Sequence, residues 1–311
     1  MSTQGRGLGF WDGAWQIARK DTLVHLRTRR LLIIGGFYVI SFLGLALLFA
    51  VFFREFFSGF YDRLSGEAFY ISKANAVMAI YLFMPLIGAS SLLQLLGIIF
   101  GYDAVVREHE DKSLFLILSK PVSRESFIAG KFLGSILSIG AIFIVLGAAT
   151  YLLVALVVGE MPSPGDAIRY FLGLGFILMG LFALSAMALF FSSWVKTTGM
   201  SLTVSLLVWI LVLFAISTGG DIYRGVNEEV GADDPVYLLT QYINPTIAAK
   251  SGMHFILNLD ALAEAGVPLG AIALASSGIN LDPLVGFLWL VAWVVVFLGG
   301  TIVVVRNRNF E

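Results

Sequence analysis

The side chains that most often carry catalytic chemistry are scarce in this sequence and are not grouped. The chain of 311 residues has no cysteine. Its three histidines are far apart: His25, His109 and His254. Metal centres and nucleophilic sites need several such groups close together, so surface positions are the simpler reading for these histidines. Gly130 and Lys131 lack the upstream glycine and the following hydroxyl residue of a phosphate-binding loop. The sequence therefore predicts no enzyme active site and no cofactor bound by this chain.

The segment of residues 101–131 has the composition of a contact surface. Dense charges of both signs come first, and a short apolar patch, residues 114–118, follows them. The patch is too brief to cross a membrane, and Pro121 and Ser123 then mark the start of another helix. Apolar contacts give affinity and charges fix register, so this composition suits docking of another protein. The alternative is a solvated loop whose patch packs on the protein's own helices, and the sequence leaves both open.

Long apolar runs must position these residues. The chain is 58% hydrophobic and 13% charged, against about 25% charged residues in an average soluble domain. A hydrocarbon core about 30 Å thick needs roughly 20 helical residues, and continuously apolar runs favour helices over a barrel. Six runs reach that length: residues 31–53, 76–100, 127–158, 168–194, 199–217 and 284–305. The sequence predicts an all-α integral membrane protein with one transmembrane domain of six spans, residues 1–311.

Basic residues indicate the orientation of this domain. With the N-terminus inside, the cytoplasmic segments hold 14 of the 20 lysines and arginines, and the outer segments hold 13 of the 21 acids. Because positively charged loops stay on the cytoplasmic side, we expect a multi-pass protein of the cell membrane with both termini in the cytoplasm.

Two further segments are neither spans nor short loops. Residues 10–30 place Trp11, Ala14, Trp15 and Ala18 on one side of a helix, with Lys20 and Arg27 facing away, which is typical of a helix lying in the headgroup layer. A disordered basic flank is the alternative. Residues 218–283 form a long outer region, first acidic and then rich in alanine and glycine over residues 261–278. There we expect a re-entrant or surface helix, with a seventh span as the alternative.

Polar residues within the spans are few. Ser90, Ser91 and Gln94 of the second span are the main group, and they are candidates for lining a weakly polar translocation path. The alternative role is to hold helices together by hydrogen bonds of about 1 kcal/mol each. Ionisable residues at membrane depth, which proton-coupled transport usually requires, are almost missing.

Two pairs of glycines lie at the predicted inner ends of the second and third spans. Gly97 and Gly101 close one span, and Gly130 and Gly134 open the next. Small residues four apart let helix backbones approach closely. We therefore expect these two spans to meet tightly there and to hold residues 101–131 as a stiff lever.

The run Leu116-Ile117-Leu118-Ser119-Lys120-Pro121-Val122-Ser123-Arg124, followed by Gly130-Lys131, resembles the ABC-2 family of transporter permeases. It looks most like the branch of the nitrous-oxide-reductase maturation transporter permease. Ala18-Arg19-Lys20-Asp21 before the first span also fits, and the resemblance covers the whole chain. Where many members have Gly-Thr after the charged cluster, this sequence has Lys112-Ser113. Lysine lacks the conformational freedom of glycine, so the chain path at that point is left open.

The resemblance implies a subunit that moves a substrate through the membrane, most simply outward, and that pairs with a second permease subunit, most simply an identical one. A separate cytoplasmic ABC ATPase subunit dimer would hold the ATP and Mg, and membrane lipids and an extracytoplasmic accessory protein are further expected partners. No nucleic acid is expected. The residues implied in ATPase coupling are Arg107, Glu108, Glu110, Leu116, Pro121 and Arg124, within a coupling helix in residues 101–126. An ATP-independent channel or secondary transporter is the rival reading, and a membrane-anchored structural protein comes third.

Overall fold

A computed structural model describes residues 9–52, 90–112, 122–158, 163–227, 230–231, 234–256 and 282–307. Over these residues the chain is helical and has no strand. The helices are α1 Phe10–Arg27, α2 Arg30–Phe52, α3 Ser90–Gly101, α4 Val106–Glu110, α5 Arg124–Val158, α6 Pro164–Trp194, α7 Thr198–Ile210, α8 Ser217–Val226, α9 Pro235–Tyr242, α10 Pro245–Ile256 and α11 Pro283–Asn307. A π-helical segment, Leu211–Ile216, connects α7 to α8 without a break.

Several of these helices are long and apolar enough to cross a membrane. Three stretches meet both criteria: Arg124–Leu153, Ala167–Trp194 and Pro283–Asn307. Leu31–Gly44 and Thr198–Ile210 are shorter apolar helices. The all-helical membrane class predicted from the sequence is therefore confirmed, while the six-span layout stays a prediction. The outer half of the second predicted span, residues 76–89, lies outside the described residues.

Local sequence explains where several helices begin. α6, α9, α10 and α11 start at prolines, whose fixed φ suits the first helical turn. Asp234 precedes α9, and its carboxylate accepts hydrogen bonds from the backbone N–H of Val236 and Tyr237. The hydroxyl of Thr197 accepts one from Met200 N at the start of α7. These caps satisfy amides that have no partner inside the helix.

α6 lies at the centre of the helix bundle and contacts α3, α5, α7, α10 and α11. Its buried face is formed largely by small residues, and Ala183, Ala186 and Ala188 have no exposed surface. Small side chains let the neighbouring helices approach closely. α6 thus provides the surface against which the other elements are positioned.

The glycine pairs contact other partners than the sequence suggested. An added Cβ on Gly97 would lie 2.6 Å from Leu181 O, and one on Gly101 would lie 2.5 Å from Ser185 O, so both glycines face α6. The expectation that the two pairs bring spans two and three together is wrong, because each pair accommodates a different helix. Those spans do touch at Ser135, whose hydroxyl donates to Phe100 O at 2.7 Å.

The other glycine pair accommodates the N-terminal helix. A Cβ on Gly130 would lie 2.6 Å from Ala14 O, and one on Gly134 would lie 3.0 Å from Asp21 Cβ. α1 therefore packs directly on α5, with Ala14 and Ala18 buried in the contact. Trp11 and Trp15 are 71% and 56% exposed. On the apolar side predicted for α1, the two alanines are thus buried against α5, whereas the two tryptophans are exposed.

The outer region begins with a helix longer than its predicted span. The prediction ended the fifth span at residue 217, but the helix continues through the π segment and α8 to Val226. α10 then packs against α6 and α11. There an added Cβ on Gly180 would lie 3.0 Å from Ala249 Cβ, and one on Gly286 would lie 3.0 Å from Ala248 O. The stretch 261–278, predicted to be re-entrant, lies outside the described residues.

Candidate functional site

A cluster of four charged side chains joins α1, α4 and α5. Lys131 Nζ lies 2.8 Å from Glu108 Oε1 and 3.0 Å from Asp21 Oδ2. The Lys131 side chain is 5% exposed, and each of the two carboxylates is 13% exposed. Lys20 Nζ, which is 51% exposed, lies 3.2 Å from the same Glu108 oxygen. Two ammonium groups thus balance two carboxylates, and we call this set the ion cluster.

Burial makes the ion cluster sensitive to the loss of a partner. Burial raises the pKa of Asp21, and the positive charge of Lys131 opposes that increase. A charge shielded from water is tolerated only when an opposite charge and hydrogen bonds compensate it. The cluster therefore fixes the relative positions of α1, α4 and α5, since none of them can move away alone without exposing an unpaired charge.

The chain turn before α4 is held by α6. Val105 N and Val106 N both donate to the hydroxyl of Ser192, each at 3.0 Å. Val105 and Val106 are each 1% exposed. A single buried hydroxyl thus satisfies the two amides that enter α4, which places Glu108 beside Lys131.

Glu110 connects α4 to the first turn of α7. Its carboxylate accepts a hydrogen bond from Thr198 N at 2.9 Å and another from the Thr198 hydroxyl. These bonds lower the pKa of Glu110, and a carboxylate at a helix N-terminus is also favoured by the helix dipole. Nearby, Ser201 Oγ donates to Tyr102 O at 2.6 Å. The N-terminal end of α7 is therefore hydrogen-bonded to α4 and to the α3–α4 connection.

Arg124 connects the start of α5 to the end of α11. Its Nη1 donates to Val305 O at 2.8 Å and to Arg306 O at 2.9 Å. The last carbonyls of a helix lack partners within the helix, and a cation there is favoured by the dipole. These hydrogen bonds attach the end of α11, the last described helix, to the start of α5.

Other charges of the segment point outward. Arg107 is 55% exposed and Asp111 is 67% exposed, and the two form a loose pair at 3.9 Å. Arg107 also lies 3.6 Å from the buried Asp103. Lys112 has a φ of 54°, so this lysine adopts the left-handed conformation that glycine takes more easily. The chain therefore makes a left-handed turn at Lys112.

Not every predicted site residue can be placed. Leu116 and Pro121 lie outside the described residues, as do the side chains of Ser90 and Ser91. Gln94 is buried, and its Oε1 accepts a hydrogen bond of 2.7 Å from Trp209 Nε1. That contact joins α3 to α7 and matches the helix-holding alternative. The translocation-path assignment stays a prediction.

Sequence reasoning missed the partners that complete the site. Asp21 and Lys131 were read only as parts of motifs, and Thr198 was not singled out. A signal was present for Lys131, because it falls inside the predicted third span, residues 127–158, where a charge requires compensation. The pairing itself depends on the close packing of α1 on α5.

The arrangement connects several helices through one short helix. No group of side chains suited to a metal ion occurs in the part of the chain that the structure describes. A cavity of about 290 Å³ lies beside the ion cluster, with His25, Asp103 and Arg107 in its lining. Another of about 300 Å³ lies between α1 and Val122. The geometry can transmit a displacement of α4 to several helices.

Comparisons with known proteins show what the chain is similar to. The family described as ABC-2 family transporter protein matches residues 15–309. A protein of Stutzerimonas stutzeri named probable ABC transporter permease protein NosY is 26% identical over 307 residues, covering 94% of this chain and 98% of that protein. The protein of the same name from Pseudomonas aeruginosa is 31% identical over 144 residues, which is 46% of each chain.

Proposed function

The chain belongs to the ABC-2 family of transporter proteins, and from this premise we propose that it is the permease subunit of an ATP-driven exporter in the cell membrane. In this proposal it holds no ATP itself. A separate ABC ATPase subunit dimer, carrying ATP and Mg, docks on α4 and the residues that follow it. A second permease subunit, an identical copy in the simplest case, completes the path.

The observation that carries this proposal is the set of bonds made by α4. Glu108 binds α1 and α5, and Glu110 binds α7. A short helix with few neighbours of its own is thus bonded to three long ones. A push on α4 from outside would displace the attached helices together, because their charged and hydrogen-bonded contacts cannot be broken cheaply.

ATP would act through this connection by changing the relative free energy of two arrangements of the helices. A ligand shifts such an equilibrium only as far as it interacts differently with the two states. ATP binding in the partner closes the ATPase dimer, and the closed dimer would hold α4 in a different position from the open one. The exposed charges Arg107 and Asp111 then supply register at the docking surface.

The printed names of the relatives support the permease role, since both are described as probable ABC transporter permeases. Placement of both termini in the cytoplasm is part of the proposal. It puts α1, α4 and the end of α11 on the side where ATP is available.

Charge reversal at the docking surface tests the proposal. The chain is purified in mild detergent from its native membranes, and proteins that co-purify are identified by mass spectrometry. We expect a stoichiometric ABC ATPase with the wild type. The double variant Arg107→Glu with Asp111→Lys should retain about a tenth of it or less, since like charges that face each other at an interface cost several kcal/mol.

The matched control is Arg169→Glu, an exposed arginine near the start of α6, where ATPase recovery should not change. Equal recovery with all variants would refute the assigned docking surface. A chain that purifies without any ATPase, under conditions that preserve other ABC complexes, would favour the channel or secondary-transporter reading.

A further inference from the structure

A network of polar side chains joins α8 to α9 and the turn after it. Asn244 Nδ2 donates to Ser217 Oγ at 3.2 Å. Gln241 Nε2 donates to Asp221 Oδ1 at 3.3 Å and to Ser217 O at 3.4 Å. The Tyr237 hydroxyl donates to the same Asp221 oxygen at 3.4 Å. Tyr237, Asn244 and Gln241 are no more than 5% exposed. We call this contact the outer network.

The outer network begins at the residue that follows the π segment. Ser217 Oγ also lies 3.3 Å from Val212 O, five residues earlier, which is a hydrogen bond along the widened turn. π turns are uncommon and occur mostly as short interruptions of α-helices at functional sites. Their poorer geometry persists only when surrounding contacts favour it. Ser217 and its partners provide such contacts.

The π segment sets which face of α8 meets α9. A π turn takes up one residue more than an α turn, and one residue corresponds to about 100° of rotation. On α7 the buried face is Ser201, Ser205 and Trp209. On α8 it is Ser217 and Gly220, and a Cβ on Gly220 would collide with the side chain of Thr240. A regular α-helix would turn both of these residues away from α9.

The contact of α9 with α8 differs in kind from the contacts that hold α10. α10 is fixed to α6 and α11 by close contacts of small residues, with an added Cβ on Gly180 3.0 Å from Ala249 Cβ. α9 precedes α10 in the chain, and a short turn joins the two helices. The contact of α9 to α8 combines the close approach of Gly220 to Thr240 and of Arg224 to the Tyr237 ring with hydrogen bonds of 3.2–3.4 Å. The ion cluster has contacts of 2.8–3.2 Å. Longer bonds between mostly neutral groups are the weaker ones.

The helix that carries the π segment also reaches the candidate docking site. Thr198, its first residue, is bonded to Glu110 of α4, and Trp209 is bonded to Gln94 of α3. One continuous helix thus runs from the docking segment to the outer network. Movement at the N-terminal end of this helix must either bend the helix or separate its far end from α9. The helix bends most easily at the π segment.

We propose that the outer network is a latch that closes the outer side of the permease, and that the π segment Leu211–Ile216 is the hinge through which ATP in the partner subunit opens it. This inference rests on the proposed permease function. In the arrangement described here the latch is closed. Displacement of α4 moves the N-terminal end of α7, and the hinge bends to absorb the change in direction. α8 then separates from α9, while α10 stays packed on α6.

Cross-linking of the latch tests the inference, and the native chain offers no competing thiols because it has no cysteine. Ser217→Cys with Asn244→Cys places two thiols across the latch, and a short thiosulfonate cross-linker joins them. The purified permease–ATPase complex is treated without nucleotide and with ATP plus orthovanadate. We expect the cross-linked fraction to fall at least about fivefold in the trapped state, because the favoured state is then the open one.

The control pair is Gly180→Cys with Ala249→Cys, across the contact that should not move. It should cross-link equally in both states. If the Ser217 and Asn244 pair lowers the yield of folded complex, Asp221→Cys with Gln241→Cys probes the same latch. The complex cross-linked across the latch should hydrolyse ATP roughly tenfold more slowly, with recovery on reduction, because the open state is denied to it.

A complex that forms, hydrolyses ATP and cross-links equally in both states would overturn the latch while leaving the permease function standing. Failure of any ATPase to co-purify would instead overturn the proposed function, and the latch with it. A fall in cross-linking of both pairs would also contradict the inference, because it would mean that α10 separates from α6 as well.

Discussion

At the scale of single residues, the ammonium of Lys131 has the largest energetic role in the site. It compensates Asp21 and Glu108, which are both shielded from water. The raised pKa of Asp21 indicates that burial already disfavours its charge, even with Lys131 beside it. Removal of the lysine would therefore leave Glu108 with only the half-exposed Lys20, and Asp21 would have to remain charged without its closest cation or take up a proton.

We expect Lys131→Met to lower the free energy of unfolding by about 3–5 kcal/mol, the usual cost of removing one partner of a buried ion pair. The measurement is the thermal unfolding midpoint of the purified chain in mild detergent. Lys20→Met is the matched control, since it removes a lysine of the same cluster that is 51% exposed. Its effect should stay below about 1 kcal/mol.

Equal shifts for the two variants would contradict a buried cluster. A further check comes from Asp21→Asn and Glu108→Gln added to Lys131→Met. This triple variant has no unpaired charge that is shielded from water, because the remaining Lys20 is 51% exposed, so it should recover part of the lost stability. If it were less stable than Lys131→Met alone, the acids would have another stabilising partner.

At the scale of elements, the packing of α1 on α5 brings the ion cluster together. Gly130 allows this contact because a Cβ there would lie 2.6 Å from Ala14 O and 2.7 Å from Ile17 Cβ. One of these atoms belongs to the backbone, so a side-chain rotation cannot remove the clash. α1 would have to move away from α5, and the distance from Asp21 to Lys131 would grow with it.

Gly130→Ala should therefore destabilise the protein by about 1–3 kcal/mol, as expected for an overpacked contact. Gly140→Ala lies in the same helix and serves as its control, because no atom lies within 4 Å of the added Cβ. That change should be neutral or should stabilise the helix by about 0.5–1 kcal/mol. Thermal unfolding of both variants in detergent gives the comparison, and a Gly140→Ala variant that loses as much stability as Gly130→Ala would contradict the described packing.

The part of the fold that local sequence determines was predictable. Apolar runs and the two-sided pattern of residues 10–30 are properties of neighbouring residues, so the all-helical membrane class followed from them. Gly97 and Gly130 were recognised as sites of close packing. Their partners were not, because a glycine pair does not specify which helix it accommodates.

The site was predictable only where its residues are close in the chain. Glu108 and Glu110 were singled out because the family resemblance implies a coupling helix in residues 101–126. Asp21, Lys131 and Thr198 complete their contacts from distant positions, and that pairing depends on tertiary packing. The π segment was also missed, because LVLFAI at residues 211–216 has no local feature that distinguishes it from regular helix.

At the scale of the whole molecule, the two ends of the bundle differ in chemistry. The ion cluster, Glu110 and Arg124 lie at the end where α1, α4 and the last turn of α11 meet. The outer network lies at the far end of the helix that begins with α7. The distribution of basic residues predicts that the first end faces the cytoplasm. The docking and latch proposals both require this orientation.

Single cysteines in the cysteine-free chain test the orientation directly. Ser163 precedes α6 and Lys196 follows it, and both are exposed. A membrane-impermeant maleimide applied to right-side-out vesicles should label Ser163→Cys at once. It should label Lys196→Cys only after detergent is added, because one helix that crosses the membrane separates the two positions. The reverse pattern would place α4 outside, where no ATPase could use cytoplasmic ATP, and the permease proposal would fail. Labelling of both sites from outside would mean that α6 does not cross, although it is the most central helix of the bundle.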